Sequence, residues 1–518
     1  MDRLLLYITD NLDYKRVVCF LATGKCTSSP FSEEQMTQAR ELVFATIREQ
    51  GSTAPLETIP ERQPFYLHAI SEVLRFADDP DWRQYTESTH SFANGVREQD
   101  WHRQACRARK RGSVYLNTVG TFGVSSASYW WYRLMSGLGR FLYYCHGKDE
   151  TTLLSYVDDL LWVTQSADGL LRILGSILLL SVLGVPFAWH KFAGGGEHTW
   201  IGYSICVAQR TVGISSSRAD WIVGWIKKTR ADGLVRVADL RSVLGRLSFA
   251  FSVIPLLKPF LGPIYAWAAA VQACHTLRLP KAVSLVLLFL QRALEQGLRR
   301  VEVPRFSCPP KEHFRTDAKA QGSELWVGGW CCADDADPHR CRWFSEKIDH
   351  LKFPVFFMAG QSYRSIGALE LLATLIALLL FEPDKGTRGV NHCSAATDNR
   401  GNSFVTARWM TTSFPLNAVL MEVAAILQQR SLHLELHWAP RLQNALADAL
   451  TNQQYDSFDP KLRLRFDFSR YRSIILKDLM EAGVSLYGDI KEYKEKWQGK
   501  RATKLRKGER LRDVDPWA

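Results

Sequence analysis

The chain has 518 residues, enough for two to four domains of ordinary size, and its 46% hydrophobic content is ample for real cores. Lys and Arg number 65 against 53 Asp and Glu, which gives a formal net charge of +12. This balance favours a polyanionic partner, and nucleic acid is the first candidate.

Eleven cysteines are scattered along the chain, mostly inside apolar runs. The odd number and this setting exclude a disulfide framework and predict a reducing compartment, the cytoplasm or the nucleus. The tightest group consists of Cys331, Cys332, His339 and Cys341. It lacks the paired C-x-x-C spacing of common zinc sites, so zinc binding there is the weaker alternative.

Neither a targeting signal nor a membrane span is predicted. The apolar runs of Met1 to Phe20 are interrupted by charges, so this stretch lacks the continuous core of a signal peptide. The long apolar stretch Ile366 to Phe381 carries Glu370 near its start. We therefore expect a soluble protein.

Residues 1–97 are predicted to form a helical region whose role is unclear. Ser32 to Gln50 is typical of a helix, with Ser32 as the N-cap and an acidic first turn. Pro64 to Phe76 predicts a second helix. The segment shows no pattern that points to chemistry.

From Asp100 onwards the pattern changes to strands. Trp101 to Arg107 and Val114 to Val119 predict two strands, and Gly120 to Arg133 predicts a turn followed by a helix. Gly123 and the small serines after it allow a backbone or a base pair to approach closely, although core packing is the alternative explanation.

Two adjacent carboxylates, Asp158 and Asp159, lie within the apolar run Ser155 to Trp162. The run predicts a buried β-hairpin that turns at the acidic pair, whereas the alternative is an acidic hairpin tip at the surface. Because buried charge is costly without a cation, we expect a metal beside Tyr156. Carboxylate oxygens suit Mg²⁺ or Mn²⁺.

Next along the chain, Leu170 to Leu183 predicts a helix, Gly184 to Lys191 a strand and Trp200 to Ile205 another strand. This order, with a carboxylate pair on the central hairpin, is that of a polymerase palm, so residues 98–215 are interpreted as a partial palm. Ser217 to Phe251 and Leu261 to Leu298 are helical and basic. Residues 216–303 would therefore suit a thumb and connection that grip a duplex.

A proline-rich linker, Pro304 to Pro310, opens a further unit at residues 304–455. Four acids there come from separate predicted elements, namely a first strand, the first long helix, a fourth strand and a closing helix. They are Asp317, Glu370, Asp398 and Asp448. Such placement lets carboxylates converge on a metal pair about 4 Å apart.

Residues 456–518 are predicted to be a basic tail. Lys491 to Arg512 is dense in Lys and Arg. The stretch is interpreted either as a solvated end or as a nonspecific nucleic-acid contact.

The motifs of residues 98–215 resemble those of reverse transcriptases. Tyr156 to Asp159 matches the family's Tyr-x-Asp-Asp box, and Gly120 to Tyr129 is similar to its glycine-containing motif B. Lys191 lies where a motif D lysine is expected, and Trp200 to Ile205 is similar to the primer-grip strand.

The later acids resemble those of a ribonuclease H domain, in which Asn444 to Asp448 is similar to the family's Asn-x-x-Ala-Asp. Residues 98 to 455 together resemble a retroelement reverse transcriptase with its ribonuclease H, close to tyrosine-recombinase-type retrotransposons and relatives in protist genomes.

This resemblance implies a multidomain α/β and α+β fold, with a partial palm and a helical thumb before a ribonuclease H-like domain. It implies RNA template, DNA, RNA:DNA hybrid and dNTP as partners and Mg²⁺ or Mn²⁺ as cofactor. The implied catalytic and metal-binding residues are Asp158, Asp159, Asp317, Glu370, Asp398 and Asp448. The implied nucleotide and primer-template contacts are Tyr156, Gly123, Lys191, Trp200 and Gly202.

One departure from the family concerns the polymerase. No apolar strand with the third palm carboxylate precedes motif B, since only Glu87, Glu98 and Asp100 are near, and the pattern-poor Ser88 to Val96 replaces the fingers. We therefore expect the hybrid nuclease, rather than the polymerase, to be active. Three hypotheses stay open at this point: a polymerase with ribonuclease H, a working ribonuclease H on an inactive palm, and a non-catalytic nucleic-acid binder.

Overall fold

The computed structural model describes residues 2–51, 127–146, 151–164, 167–272, 275–302, 311–351, 353–357, 365–382 and 391–497. The chain divides into two compact units, Met1–Ile201 and Gly202–Ala518. The sequence-based boundaries after residues 97, 215, 303 and 455 stay predictions. Several predicted features lie outside the described residues: Pro64 to Phe76, Trp101 to Arg107, Val114 to Val119, Gly123 and Pro304 to Pro310.

The first unit begins with three helices, α1 (Asp2–Asn11), α2 (Tyr14–Thr23) and α3 (Glu33–Gly51). The N-terminus of α3 is closed by a reciprocal pair of hydrogen bonds. Ser32 Oγ accepts the N–H of Gln35 at 3.1 Å, and Gln35 Oε1 accepts the N–H of Ser32 at 2.9 Å. This capping box satisfies two backbone donors at once and confirms the predicted N-cap.

A helix and a hairpin follow, α4 (Ala127–His146) and the antiparallel strands β1 (Thr151–Tyr156) and β2 (Asp159–Thr164). The hydroxyl of Tyr143 on α4 accepts the N–H of Leu153 at 2.7 Å. The next helix, α5 (Ala167–Val182), confirms the helix predicted for this stretch, and α1, α2 and α3 pack against it. Their shared core includes Leu4, Ile8, Leu21, Leu174, Ile177 and Leu178.

The strand predicted for Gly184 to Lys191 is wrong, because the segment ends in a short 3-10 helix, Trp189–Lys191. Gly184 has a positive φ of 78°, which turns the chain out of α5, and Pro186 has no N–H to give to a strand ladder. The aromatic side chains of Phe187 and Phe192 lie 5.1 and 5.3 Å from Trp189, ring centre to ring centre. Local aromatic packing thus replaces strand pairing.

The single strand predicted for Trp200 to Ile205 is also wrong. The chain forms β3 (Glu197–Trp200) and β4 (Tyr203–Cys206), with a turn between them. Ile201 and Gly202 both have positive φ, 44° and 84°. Two successive residues of this kind turn the backbone, and extended geometry cannot continue through them.

The second unit opens with short strands and four helices. Strand β4 pairs with β5 (Thr211–Ile214), which pairs in turn with β8 (Arg300–Glu302). The other elements of this part are α6 (Ser216–Asp232), β6 (Leu234–Arg236), α7 (Val237–Ala250), α8 (Gly262–Ala270), β7 (Thr276–Arg278) and α9 (Lys281–Glu295). Helices were predicted across these stretches, and α6 and α7 match the two helical patterns of Ser217 to Phe251.

A mixed five-stranded sheet follows. It contains β9 (Glu312–Gln321), β10 (Glu324–Trp330), β11 (Trp343–Lys347), β12 (Asn391–Thr397) and β13 (Leu432–Trp438). The spatial order is β11-β10-β9-β12-β13. The first three strands are antiparallel neighbours, whereas β12 lies parallel to both β9 and β13. The first strand predicted for this unit, which carries Asp317, corresponds to β9, and the predicted fourth strand, which leads to Asp398, corresponds to β12.

Helices cover both faces of this sheet. They are α10 (Ile366–Phe381), α11 (Arg400–Arg408), α12 (Leu416–Arg430) and α13 (Ala445–Thr451). Successive side chains of a strand point to opposite faces. On β9, Thr316 Oγ1 lies 3.2 Å from Thr374 Oγ1 of α10, whereas Asp317 Oδ2 accepts the hydroxyl of Thr451 on α13 at 3.2 Å.

A long C-terminal helix, α14 (Leu476–Trp497), was not predicted, since residues 456–518 were interpreted as a basic tail. Its buried side chains join the core of the second unit, which extends from Ile214 to Ile490. The side chain of Glu422 on α12 is fully buried and accepts the N–H groups of Ile474, Ile475 and Leu476 at 2.7 to 2.9 Å. These bonds satisfy donors at the start of α14.

None of the helices described in the structure has both the length and the apolar character needed to cross a bilayer. The eight cysteines in the described segments are all free thiols.

Candidate metal centre

Three of the predicted acids meet in the second unit. Asp317 lies on β9, Glu370 on the first turns of α10, and Asp398 directly follows β12, the neighbour of β9. One carboxylate oxygen from each of the three lies within 4.8 Å of the other two. Asp317 and Glu370 are 5% and 6% exposed and Asp398 is half-buried, so two of the three carboxyl groups are shielded from solvent.

The carboxylate of Glu370 is held on both sides. Thr397 Oγ1 donates to its Oε2 at 3.0 Å, and Asn399 Nδ2 donates to its Oε1 at 3.2 Å. Asn399 in turn caps α11, because its Oδ1 accepts the N–H of Asn402 at 3.1 Å. The residues on either side of Asp398 therefore orient Glu370 toward the other acids.

Burial and mutual repulsion make the charged forms of these acids costly. Burial, followed by the charges of Asp317 and Asp398, raises the pKa of Glu370 to about 8. Burial and the charges of Asp398 and Asp448 raise the pKa of Asp317 to about 7. Burial also raises the pKa of Asp398, although the Arg441 guanidinium opposes it. A divalent cation among these oxygens would relieve the repulsion, and a set of oxygen ligands alone suits Mg²⁺ or Mn²⁺.

Asp448, the fourth predicted acid, lies next to this group but is engaged by other side chains. Its Oδ1 pairs with the guanidinium of Arg441 at 2.8 Å, and its Oδ2 accepts the side-chain amide of Asn452 at 3.0 Å. It is close enough to contribute to the raised pKa values of Asp317 and Asp398. Its role as a metal ligand stays a prediction.

The start of α13, which carries Asp448, is fixed against the sheet. Asn444 is buried, and its side-chain amide donates to the carbonyl of Thr316 on β9 at 3.0 Å. A Cβ atom at Gly328 of β10 would lie 3.0 Å from the Cβ of Leu450, so glycine lets α13 approach closely. Asn444 is thus anchored to β9 directly before α13, and this places Asp448, one turn later on the helix, beside the other acids.

The hairpin of the first unit forms as predicted, but its carboxylates are not buried. Asp158 and Asp159 are exposed at the tip, and Tyr156 is 54% exposed. Val157 has a φ of 57°, and its carbonyl accepts the indole N–H of Trp131 at 2.7 Å. The hairpin is a two-stranded ribbon that turns only part of its surface to the core, so the prediction of a buried acidic pair is wrong.

The other residues predicted to contact nucleotide or primer-template lie on separate local features. Lys191 is exposed at the end of the 3-10 helix, and Trp200 is half-buried at the end of β3. The carbonyl of Gly202 accepts the guanidinium of Arg218 at 2.7 Å. Gly123 lies outside the described residues. The binding roles of these residues stay predictions.

A second group of possible ligands, His313, Glu382 and Cys393, also lies within 4.8 Å. Here hydrogen bonds already use the polar atoms: His313 Nδ1 accepts the N–H of Ser394 at 3.2 Å, and the Cys393 thiol donates to Glu382 at 3.4 Å. The set of Cys331, Cys332, His339 and Cys341 considered for zinc is not among the ligand groups found in the described residues.

Sequence reasoning missed three residues at the metal centre. Thr397 and Asn399 flank Asp398 and hold Glu370, and their signal was adjacency to a predicted site residue. Arg441 lies seven positions before Asp448. A lone arginine in a loop carries no comparable signal, so only the structure could reveal its partner.

The geometry defines a mixed α/β protein with a carboxylate centre beside the central strand of a five-stranded sheet. No family model matches the sequence, and no curated protein matches it significantly. Solved structures of the foamy viral protease-reverse transcriptase are similar to it at 14% identity. The complexes with RNA/DNA hybrid and with dsDNA have TM-scores of 0.31 and 0.30 and cover 64% and 62% of this chain. The complex of the foamy viral protease-reverse transcriptase dRH with double-stranded DNA has a TM-score of 0.30 and covers 62% of this chain.

The matched regions span 40%, 60% and 51% of those three viral chains, about half of their length. Similarity at this level defines neither a family nor a function.

Proposed function

We propose that the second unit is a divalent-metal-dependent ribonuclease H that cuts the RNA strand of an RNA:DNA hybrid, within a retroelement reverse transcriptase whose hairpin does not extend primers. The observation that carries this proposal is the convergence of Asp317, Glu370 and Asp398 within 4.8 Å. Two buried carboxylates beside a half-buried third would be strongly unfavourable without a cation, whereas a metal-dependent phosphodiesterase needs this arrangement.

Each acid has a part in this scheme. Asp317 on β9 and Asp398 just after the neighbouring strand β12 would hold metal ions from two sides, and Glu370 is kept in place by Thr397 and Asn399. When bound, a pair of Mg²⁺ ions supplies an activated water and stabilises the leaving oxygen of an in-line displacement. The chain's own contribution is to position the carboxylates.

Exposed cationic and aromatic side chains around the centre support a nucleic-acid substrate. Trp438, 47% exposed, donates its indole N–H to the carbonyl of Asp398 at 3.0 Å. Phe404 is 52% exposed, and the guanidinium of Arg400 lies over its ring at 5.7 Å. Such groups contact phosphates and stack on bases.

The decisive test is Asp398→Asn, assayed for Mg²⁺-dependent cleavage of a labelled RNA strand in a hybrid. Because the substitution removes one ligand oxygen's charge, we expect cleavage to fall by about a hundredfold or more. Asp456→Asn, at an exposed acid outside the centre, should cleave like the unaltered protein. Undiminished cleavage by Asp398→Asn would refute the assignment.

A non-catalytic nucleic-acid binder is the second candidate. The occupation of both Asp448 oxygens by Arg441 and Asn452 favours it, because a metal pair would have to compete with these partners. Tight, salt-sensitive binding of a hybrid that stays uncut with both Mg²⁺ and Mn²⁺ would select this candidate.

A further inference from the structure

Arg441 faces the acidic centre from the short 3-10 helix Arg441–Asn444, just before α13. Its guanidinium pairs with Asp448, and its charge also acts on Asp317 and Asp398. The side chain is 77% exposed. One arginine thus supplies positive charge to the outer edge of the centre while remaining open to solvent.

This arrangement cannot persist unchanged once metal ions enter. A divalent cation among the carboxylates repels a guanidinium at the same acids and takes over its task of neutralising them. An exposed ion pair is weak, so Arg441 can leave Asp448 at little cost. Its planar fork of donors is suited to the non-bridging oxygens of a phosphate.

We propose that Arg441 couples metal binding to substrate binding: it neutralises Asp448 in the metal-free protein and moves to a phosphate of the nucleic acid when metal ions occupy the centre. This inference rests on the proposed function, because it assumes a nucleic acid at the acidic pocket. Arg441 contacts the substrate directly in this scheme.

The scheme makes a quantitative statement about linkage. If Arg441 moves between Asp448 and a phosphate, metal ions must strengthen hybrid binding, and the hybrid must strengthen metal binding by the same factor. Replacing Arg441 by an uncharged residue removes the guanidinium that moves between Asp448 and the phosphate. The factor by which metal strengthens hybrid binding should then fall by about fivefold or more, and so should the factor by which the hybrid strengthens metal binding.

The test compares Arg441→Gln with the unaltered full chain in two titrations. Mn²⁺ binding, followed by the loss of the free-ion electron paramagnetic resonance signal, is measured without nucleic acid and should become tighter in the variant. Hybrid binding, followed by fluorescence anisotropy with Ca²⁺ or with EDTA, should gain less from the metal in the variant. A gel shows that the RNA stays intact.

Two further variants serve as controls. Arg470→Gln removes another exposed arginine, one that pairs with Asp467 away from the centre, and should change neither titration. Arg441→Lys keeps the positive charge but lacks the planar set of donors of a guanidinium. It should restore part of the coupling between metal binding and hybrid binding.

Unchanged Mn²⁺ affinity in Arg441→Gln would overturn the inference, since the arginine would not compete with metal. Tighter Mn²⁺ binding with an unchanged metal effect on hybrid affinity would overturn the transfer to phosphate. If the unaltered protein leaves hybrid RNA uncut with Mg²⁺, the proposed function fails instead. The Mn²⁺ titration without nucleic acid keeps these failures distinguishable.

Discussion

Glu370 is a charged residue in an otherwise apolar helix. Its neighbours on α10 are mostly Leu, Ile and Ala, and the carboxylate is satisfied by donors from Thr397 and Asn399. A buried carboxylate such as that of Glu370 reduces stability unless a cation binds beside it. The cost should therefore be visible in the pH dependence of the free energy of unfolding.

The folded-state pKa values of Glu370, about 8, and Asp317, about 7, lie above the ordinary values of 4.5 and 3.8. The unfolded chain therefore releases these protons at lower pH than the folded chain does. Without metal, the free energy of unfolding should fall as the pH rises from about 4 to about 8. Thermal melts should show a larger Mg²⁺-dependent rise in Tm at pH 8 than at pH 5. Equal Mg²⁺ effects at both pH values would contradict this expectation.

For single residues, the sequence predicts the acids of the metal centre better than it predicts the side chains that contact them. Asp317, Glu370 and Asp398 could be predicted because each is a carboxylate at the end of an apolar strand or inside an apolar helix. Arg441 could not, since the contact with Asp448 depends on how the loop after β13 folds. The burial of Asp158 and Asp159 was mispredicted because apolar neighbours in sequence do not reveal what covers a hairpin.

The hairpin of β1 and β2 carries both of its acids on one two-stranded element. Tyr156 pairs with Asp159 in the register, and Asp158 lies in the turn between them. Two metal ions that align a primer and a triphosphate need carboxylates from more than one strand. The described residues of the first unit contribute no third ligand to this pair.

We therefore predict that the chain does not extend a primer. The measurement is incorporation on a poly-rA template, first with Mg²⁺ and then with Mn²⁺, and the expected result is no product above background. Robust incorporation that disappears in Asp158→Ala would show the prediction to be wrong and would make Glu87, Glu98 or Asp100 the third carboxylate.

Helix α14 depends on one buried side chain of another helix. Glu422 on α12 accepts three backbone N–H groups at the start of α14 and the hydroxyl of Tyr471. Burial and the Glu422 charge raise the pKa of Tyr471 well above its ordinary value, so this hydroxyl remains a donor.

Glu422→Ala should lower the free energy of unfolding by about 3 kcal/mol, because it leaves several buried donors without an acceptor. Glu481→Ala, at an exposed position of α14, is the matched control and should have little effect. Chemical denaturation measures both variants. A Glu422→Ala protein as stable as the control would mean that α14 does not depend on this contact.

Elements with strong periodicity or alternation were predicted well, including α5, α6, α10 and β9. Helix α14 was not predicted, because the many charged residues on its solvent-exposed side obscure its apolar spacing. The apolar spacing of Leu476, Leu479, Leu486 and Ile490 was nevertheless present in the sequence, and all four are buried. At Gly184 to Lys191, apolar composition suggested a strand that Gly184 and Pro186 prevent.

For the whole molecule, positive charge is concentrated at the C-terminal end of the chain. Residues 498–518 contain seven Lys and Arg against three Asp and Glu. The predicted nucleic-acid contact of the tail should therefore be tested without disturbing α14, which ends at Trp497 and buries Ile490.

Deleting residues 498–518 should weaken hybrid binding. The slope of the logarithm of the binding constant against the logarithm of the salt concentration should also decrease in magnitude, by about 0.9 for each phosphate contact removed. The Tm should not change. Deleting residues 489–518, which also removes Lys491, Lys494 and Lys496, should reduce the slope at least as much and also lower the Tm by about 2–4 °C, because it removes Ile490 from the core. If the shorter deletion leaves the slope unchanged, the tail is solvated and makes no contact.

The burial of Glu422 sets an order of events during synthesis. A chain emerging from the ribosome presents α12 more than forty residues before the N–H groups of Ile474 to Leu476 that hydrogen-bond the Glu422 carboxylate. Until those groups arrive, this carboxyl group lacks its backbone donors and lies beside an uncovered apolar surface. The second unit therefore completes its core late, and nascent chains halted near residue 455 should be substrates for chaperones.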